Sequence, residues 1–308
     1  MRVIVADEIE PIHLSLPSMQ SRLAKSTPSL GPSRIAVEDY GRAQLALFEF
    51  GHGTMGAVDI ADDVMALVVA QAAPRGSRWD GADLEAGDVH VYGPGSMHIG
   101  SDGPGIAGSV LIVDLDSVRE TIAVLGRSEQ ETRVEILTRD EASASVALIE
   151  SVWGGEEDLW GLDRLDPLRA QHCILETVAR AVSSATRPLR TRDGRRFNDR
   201  KIVVDALDFL EASGVWRVPM SELCAATGMS ERSVERAFER TFELSPITYM
   251  RAQALSAART RLLDSDPTDT TVSRVAMDHD FEHLGRFAYY YRTAFDEHPS
   301  VTLASKAG

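Results

Sequence analysis

The sequence predicts an α+β chain of two domains: an N-terminal β-barrel with added helices, then an all-α domain. Three observations carry this. Short β-prone runs cut by Gly, Pro and Asp-rich turns fill residues 33 to 114. Beyond Asp114 the apolar period lengthens from two to about 3.6. Between Val218 and Pro299 two helix–turn–helix patterns stand in tandem, joined by a linker helix.

At 308 residues the chain is long enough for two cores, and 44% hydrophobic with 26% charged residues is an ordinary globular composition. No apolar run approaches membrane-spanning length, and no basic segment followed by an apolar one opens the chain. The expectation is a cytoplasmic protein with no membrane partner. Cys173 and Cys224 lack metal-ligand spacing and are expected as buried, reduced thiols.

The strand-like runs are RIAVEDY, AQLALFEF, AVDI, VMALVVAQ, GDVHVYGP and SVLIVDL, whereas residues 1 to about 30 show no clean period. The mouth of a barrel is a common small-molecule site. His90, Tyr92 and His98, around the turn in GDVHVYGPGSMH, are therefore the candidate effector-binding residues together with Trp79. Trp79 and Tyr92 suit stacking on an aromatic ligand, and equally suit a core. His52, His90 and His98 are scattered, so neither a metal nor any other cofactor is expected.

DSVRETIAVLG reads as a helix capped at Asp116 and stopped by Gly126, and residues 139–153 as a second. A third starts at Asp166-Pro167, with Leu168, Leu175, Val178 and Val182 along one side. From Ser183 to Asn198 the Ser, Thr, Arg and Gly content reads as a linker. The expected division is 1–185, a 186–200 basic linker and 201–308, with KIVVDALDFLEASG as the first helix of the last part.

In the first tandem pattern Met220, Leu223 and Ala226 recur at helical spacing until Gly228 breaks the run. Ser230 then supplies an N-cap oxygen for a helix from Glu231 to Thr241. Its inner face is Val234, Ala237, Phe238 and Thr241, while Arg232, Glu235, Arg236 and Glu239 face away. The second copy has Val272, Val275 and Ala276, a corner at MDHDF, and a helix from about Glu282 to Phe295. There Phe287, Tyr291 and Phe295 face inward and Arg286 and Tyr289 outward. Tyr249, Leu255, Ala258 and Leu262 mark the connecting helix, which Asp266-Pro267 ends.

The stretch GMSERSVERAFERTFELSPITYMRAQALSAARTRLL, followed by Val275, Ala276, Phe281, Phe287, Phe295 and Pro299, resembles the AraC/XylS family of bacterial transcription regulators. The resemblance covers roughly the last hundred residues. It implies a sequence-specific DNA-binding regulator, and it makes the preceding strands a cupin-like domain that senses a small-molecule effector. It also implies double-stranded DNA as partner, a homodimer formed through the helical block, whose other reading is a cover for the barrel, and RNA polymerase as a further partner of an activator. Positions matching Arg232, Glu235 and Arg236 carry base contacts in the family.

A recognition helix reads the major groove with its outward, early residues, arginine pairing with guanine and glutamate accepting from cytosine. Ser233 joins those three, and Arg240 is expected on a phosphate. The other reading of Arg232, Glu235, Arg236 and Glu239 is a set of surface ion pairs. In the second helix His283, Gly285, Arg286 and Tyr289 are the candidates, giving a first motif that specifies and a second that positions.

This chain departs from the family pattern at Asp280, where glycine is usual, at Tyr289, usually arginine, and at His298, usually serine. The formal charge of −15 is unusual for a DNA binder, although RPLRTRDGRR is strongly basic. Two other classes are weighed: a cupin-type enzyme fused to a DNA-binding tail, and an interaction module with a degenerate second motif. No nucleophile–base pair, phosphate loop or metal triad supports an enzyme.

Overall fold

The computed structural model describes residues 2–6, 16, 18–27, 31–125, 135–137, 166–184 and 194–305. The expected helix at 139–153 and most of the expected linker lie outside the described residues. The chain opens with strands β1 (Arg2–Ala6), β2 (Met19–Lys25), β3 (Ser33–Asp39), β4 (Ala43–Phe50), β5 (Thr54–Ile60) and β6 (Val64–Ala72). There follow β7 (Arg78–Trp79), β8 (Ala82–Asp83), β9 (Val89–Tyr92), β10 (Met97–Asp102), β11 (Ile106–Asp114) and, later, β12 (Glu135–Leu137).

These strands make two antiparallel sheets that do not close into one ring. The first has the order β1-β3-β4-β11-β6-β9-β12 and the second β2-β5-β10-β7-β8. In the first sheet Leu45, Leu47, Leu111 and Val113 turn to one apolar cluster, while the alternate Ala46, Val110 and Ile112 turn to another. A sheet covered on both faces reads as a near-continuous apolar run, which is what AQLALFEF and SVLIVDL are.

One cover is helical. Helices α1 (Leu115–Val124) and α2 (Pro167–Ser184) lay Val118, Ile122, Ile174 and Val178 on the outer face of the first sheet. The cap of α1 is Asp114, whose carboxylate accepts from the Ser117 N–H at 2.8 Å, and not Asp116 as expected. Asp116 instead sits in the first turn, where its charge suits the helix dipole. Val178 is fully buried in this core, whereas Leu168 is 77% exposed. Cys173 and Cys224 are free and half-buried, less enclosed than expected.

The C-terminal part contains α3 (Gly194–Ser213), α4 (Met220–Thr227), α5 (Glu231–Phe242), α6 (Pro246–Asp264), α7 (Val272–Asp278), α8 (Leu284–Phe295) and α9 (Pro299–Ala304). Helix α3 is already under way at Gly194, inside the stretch read as linker. The second sheet's outer face packs directly on these helices. Ala24, Met55, Ala57 and Ile99 share one apolar cluster with Ile202, Leu207, Phe238 and Tyr249. Arg22 on β2 ion-pairs with Glu211 on α3, and Arg200 on α3 donates to the Met97 carbonyl. The layers therefore run helices, first sheet, second sheet, helical domain.

Candidate DNA interface and ligand cavity

In the first motif, Gly228 ends α4 at φ 66°, and its N–H returns to the Cys224 carbonyl. That left-handed conformation strains any residue with a Cβ, so glycine is the expected tenant. Ser230 caps α5 by accepting from the Ser233 N–H, and the two hydroxyls are 2.9 Å apart. Ser233 is thus half-buried and engaged in the cap. Arg232, Glu235 and Arg236 are exposed on the opposite face from Val234, Ala237 and Phe238, which are fully buried. Among the described residues no ion pair links Arg232, Glu235, Arg236 and Glu239. Arg240 does not follow them, since its guanidinium pairs with Asp199 on α3 at 2.8 Å.

The second motif repeats the frame with different surface chemistry. Phe287 and Tyr291 are fully buried, and His283, Gly285, Arg286 and Tyr289 are exposed. His283 is the N-cap residue of α8 but makes no side-chain cap bond. A Cβ at Gly285 would meet nothing within 4 Å, so the protein itself does not require glycine there. Tyr289 is 60% and Leu284 39% exposed, which gives this helix an aromatic and apolar outer face where α5 has a charged one. Arg251 of α6 stacks on Tyr290 at 4.3 Å from the ring centre. Buried Arg259 of α6 bonds Tyr291 Oη and Glu297, and fixes α8 and α9 to the connecting helix.

Between the two sheets lies a cavity of about 110 Å³. Its walls are mostly apolar, with Phe48, Phe50, Val58, Ile106 and Val110 among them, and its polar lining is Ser21, His90, Tyr92 and Asp102. Trp79 also lines it, so three of the four expected effector residues come together here. His98 does not line it. It lies behind Tyr92, ring against ring at 3.5 Å, with Nδ1 2.6 Å from Asp80 and Nε2 2.8 Å from Ser96. The other oxygen of Asp80 meets Arg200 on α3 at 3.3 Å. Burial pushes the Asp80 carboxyl up, but His98, Arg200 and the Ile99 N–H together hold it below its usual range.

Sequence reasoning missed Asp102, Phe48 and the Asp80–Arg200 pair. Trp79 Nε1 donates to Asp102 at 2.9 Å and Thr54 Oγ1 at 3.2 Å, yet burial pushes this carboxyl up to about 7. Burial likewise pushes His90 down to about 4, so its imidazole is neutral at physiological pH. A signal for the aromatic walls was present in the glycines. Trp79 pairs across the strands with Gly100, and Phe48 with Gly108, and a Cβ at either glycine would strike the ring at 2.6 or 2.7 Å. Interior strand glycines mark such close approaches.

Residues 223–305 match a family model described as "Helix-turn-helix domain". The "XylDLEGF operon transcriptional activator" of Pseudomonas putida is 35% identical over 97 residues, which is 32% of this chain and 30% of that protein. The "Probable thc operon regulatory protein" of Rhodococcus erythropolis is 31% identical over 102 residues, 33% of this chain and 31% of its own. A solved structure from Rhodopseudomonas palustris, titled a probable AraC family transcriptional regulator, is 35% identical. It aligns with 33% of this chain and 94% of its own, at a TM-score of 0.31. The C-terminal domain is a helix-turn-helix domain of the AraC/XylS type. The chain spans about a third of the length of the curated relatives named above.

Two departures from the AraC/XylS pattern now have a structural account. Asp280 takes the left-handed corner conformation, φ 62°, without being glycine. Its carboxylate accepts the backbone N–H groups of Trp216 and Arg217 at 2.9 and 3.2 Å, so the side chain ties the second corner to the loop before α4. Glycine would relieve the backbone and forgo both bonds. At the other departure, Ser245 caps α6 by accepting from Thr248 N–H, whereas His298 begins α9 with no side-chain cap. Both helices share a proline at the first helical position, Pro246 and Pro299, so the side-chain cap is what the second start lacks.

Proposed function

We propose that this protein is a sequence-specific DNA-binding transcription regulator whose N-terminal domain binds a small-molecule effector in the cavity between its sheets. The observation that carries the proposal is the outer face of α5, where Arg232, Glu235 and Arg236 are exposed over a fully buried inner face. Arg232 and Arg236 read guanines and Glu235 a cytosine, while Arg286 and Tyr289 hold backbone phosphates. Ser233 and Arg240 act indirectly, through the helix cap and the α3 contact.

The organisation we propose is a sensing and dimer-forming part over 1–185, a connecting stretch over 186–200 and a DNA-binding part over 201–308. The partners are promoter DNA, a second copy of the chain and, for an activator, RNA polymerase, in the cytoplasm. An effector changes the DNA-binding arrangement only if it binds one domain arrangement more tightly than another. Tyr92, His98, Asp80 and Arg200 form a contiguous path from the cavity wall to α3 that supports such coupling. For the homodimer the helical layer offers two exposed apolar residues among the described ones, Leu168 of α2 and Val124 of α1, and replacing both by glutamate should give monomers by sedimentation.

The deciding experiment is a salt-series titration of the protein against its own promoter DNA and a scrambled duplex of equal length. Tight, selective binding with a steep salt slope is expected. Equal affinity for both duplexes would remove the specificity assigned to α5.

A further inference from the structure

The cavity's chemistry narrows what it can hold, on the reading that it is the effector site. No lysine or arginine lines it, so an anionic ligand would find no counter-charge among the described residues. Burying an unpaired charge costs far more than burying a neutral group. Its one carboxyl, Asp102, already accepts from Trp79 and Thr54 and keeps its proton until about pH 7, so no fixed negative charge awaits a cation.

His90 is the unsatisfied group. It sits on β9 with its ring on the cavity side, 3% exposed, and neither ring nitrogen has a hydrogen-bond partner among the described residues. A neutral imidazole offers one donor and one acceptor. Buried polar groups are normally paired, and an unpaired one lining a cavity is a ready contact for a ligand. Size is limiting too, since cavities of about 150 Å³ take up benzene and this one is about 110 Å³.

We propose that the cavity takes an uncharged molecule of about one ring, or a chain of similar bulk, carrying a single hydrogen-bonding group, such as a hydroxyl, that meets His90. The aromatic walls cover its apolar body, and Trp79 is held in place by its bond to Asp102 and its seat over Gly100.

The test is calorimetric titration of the full chain at pH 6, where Asp102 keeps its proton and His90 is neutral, with four molecules of one skeleton: benzyl alcohol, toluene, benzoate and benzylamine. Benzyl alcohol should bind at least about tenfold tighter than toluene, benzoate or benzylammonium. His90→Phe should bring the alcohol down to the level of toluene, and His90→Gln, which keeps a donor and an acceptor, should preserve the preference. Ala46→Phe, which fills the cavity, should abolish binding of all four. Tighter binding of either ion, no binding by any of the four, or an unchanged preference in a folded His90→Phe variant would overturn the proposal. DNA affinity measured with and without saturating alcohol separates the two readings. Alcohol that binds through His90 but leaves DNA affinity unchanged would refute the effector role and leave the ligand class standing.

Discussion

The two helix–turn–helix motifs share one frame and differ in nearly everything the frame displays. Both recognition helices are 12 residues long, both bury a phenylalanine completely, and both end on a left-handed acidic residue, Glu243 or Asp296. The first starts on a serine cap, turns on glycine and presents arginine and glutamate. The second starts on an uncapped histidine, turns at an aspartate and presents leucine, arginine and tyrosine. Inner faces are set by the need to fill the same space between crossing helices. Outer faces answer to what lies beyond the protein, so they diverge when the motifs do different work.

The largest expected effects test the sameness. Phe238→Ala and Phe287→Ala should each cost about 3–5 kcal/mol in urea unfolding, because each ring is fully buried. A cost near zero at either would break the equivalence of the two cores.

Next come the differences. Arg236→Ala should weaken operator binding by about 1–3 kcal/mol and relax selectivity at one base pair. Arg286→Ala should weaken binding to all sequences alike and lower the salt slope by about 1. If the two variants behave identically in titrations on operator and scrambled DNA, the division into reader and positioner fails.

Smaller effects belong to the corner. Asp280→Gly eases the backbone but loses two bonds to Trp216 and Arg217, for a net loss of about 1 kcal/mol. Asp280→Ala loses the bonds and keeps the strain, so it should melt lower than the glycine variant. The reverse order of melting temperatures would show that the carboxylate does not hold the corner.

The cavity serves as a control region, where substitutions should leave DNA affinity without effector nearly unchanged. Their signature is in pH. Between about pH 4 and 6.5 an unfolded His90 binds a proton that the folded one refuses, so its contribution to stability rises with pH. Over about pH 4 to 7 the folded Asp102 keeps a proton that the unfolded one has lost, so its contribution falls with pH. The two slopes oppose each other. Relative to the parent, His90→Phe should lose stability as pH rises through this window, and Asp102→Asn should gain it. Parallel pH–stability curves for the parent and both variants would contradict these burial effects.

Much of this was legible in the sequence because it follows from local rules. Gly228 and Ser230 announce a turn and a cap wherever they fall between apolar helical stripes, and β4, β6 and β11 announce themselves by apolar runs. What escaped depends on distant partners. Strand β2 reads as irregular because its polar Gln20, Ser21 and Arg22 follow its pairing with β5 and its contact with α3 and leave no period. His98 looked like a ligand contact because it follows the turn in GDVHVYGPGSMH at the expected barrel mouth. Only the fold shows Tyr92 covering it and Asp80, eighteen residues earlier, holding it. Leu168, Leu175 and Val178 looked alike on a helical projection, yet Val178 is buried against the sheet, Leu175 packs partly on the same core and Leu168 is left exposed.

The stiffness of the connection between the motifs has a consequence for the operator. Helix α6 has 19 residues, so it is about 28 Å long. Arg259 bolts one end to the second motif and Tyr249 packs on Phe238 at the other. A spacer of that length without a hinge suits two recognition sites about one turn of duplex apart, on one side of the DNA. Inserting a single base pair between them would swing one site around the duplex axis by about 35°, and a rigid protein could not follow. On the proposed reading, in which both helices enter the same face of the duplex, the spacing of the target is built into the protein as firmly as the letters.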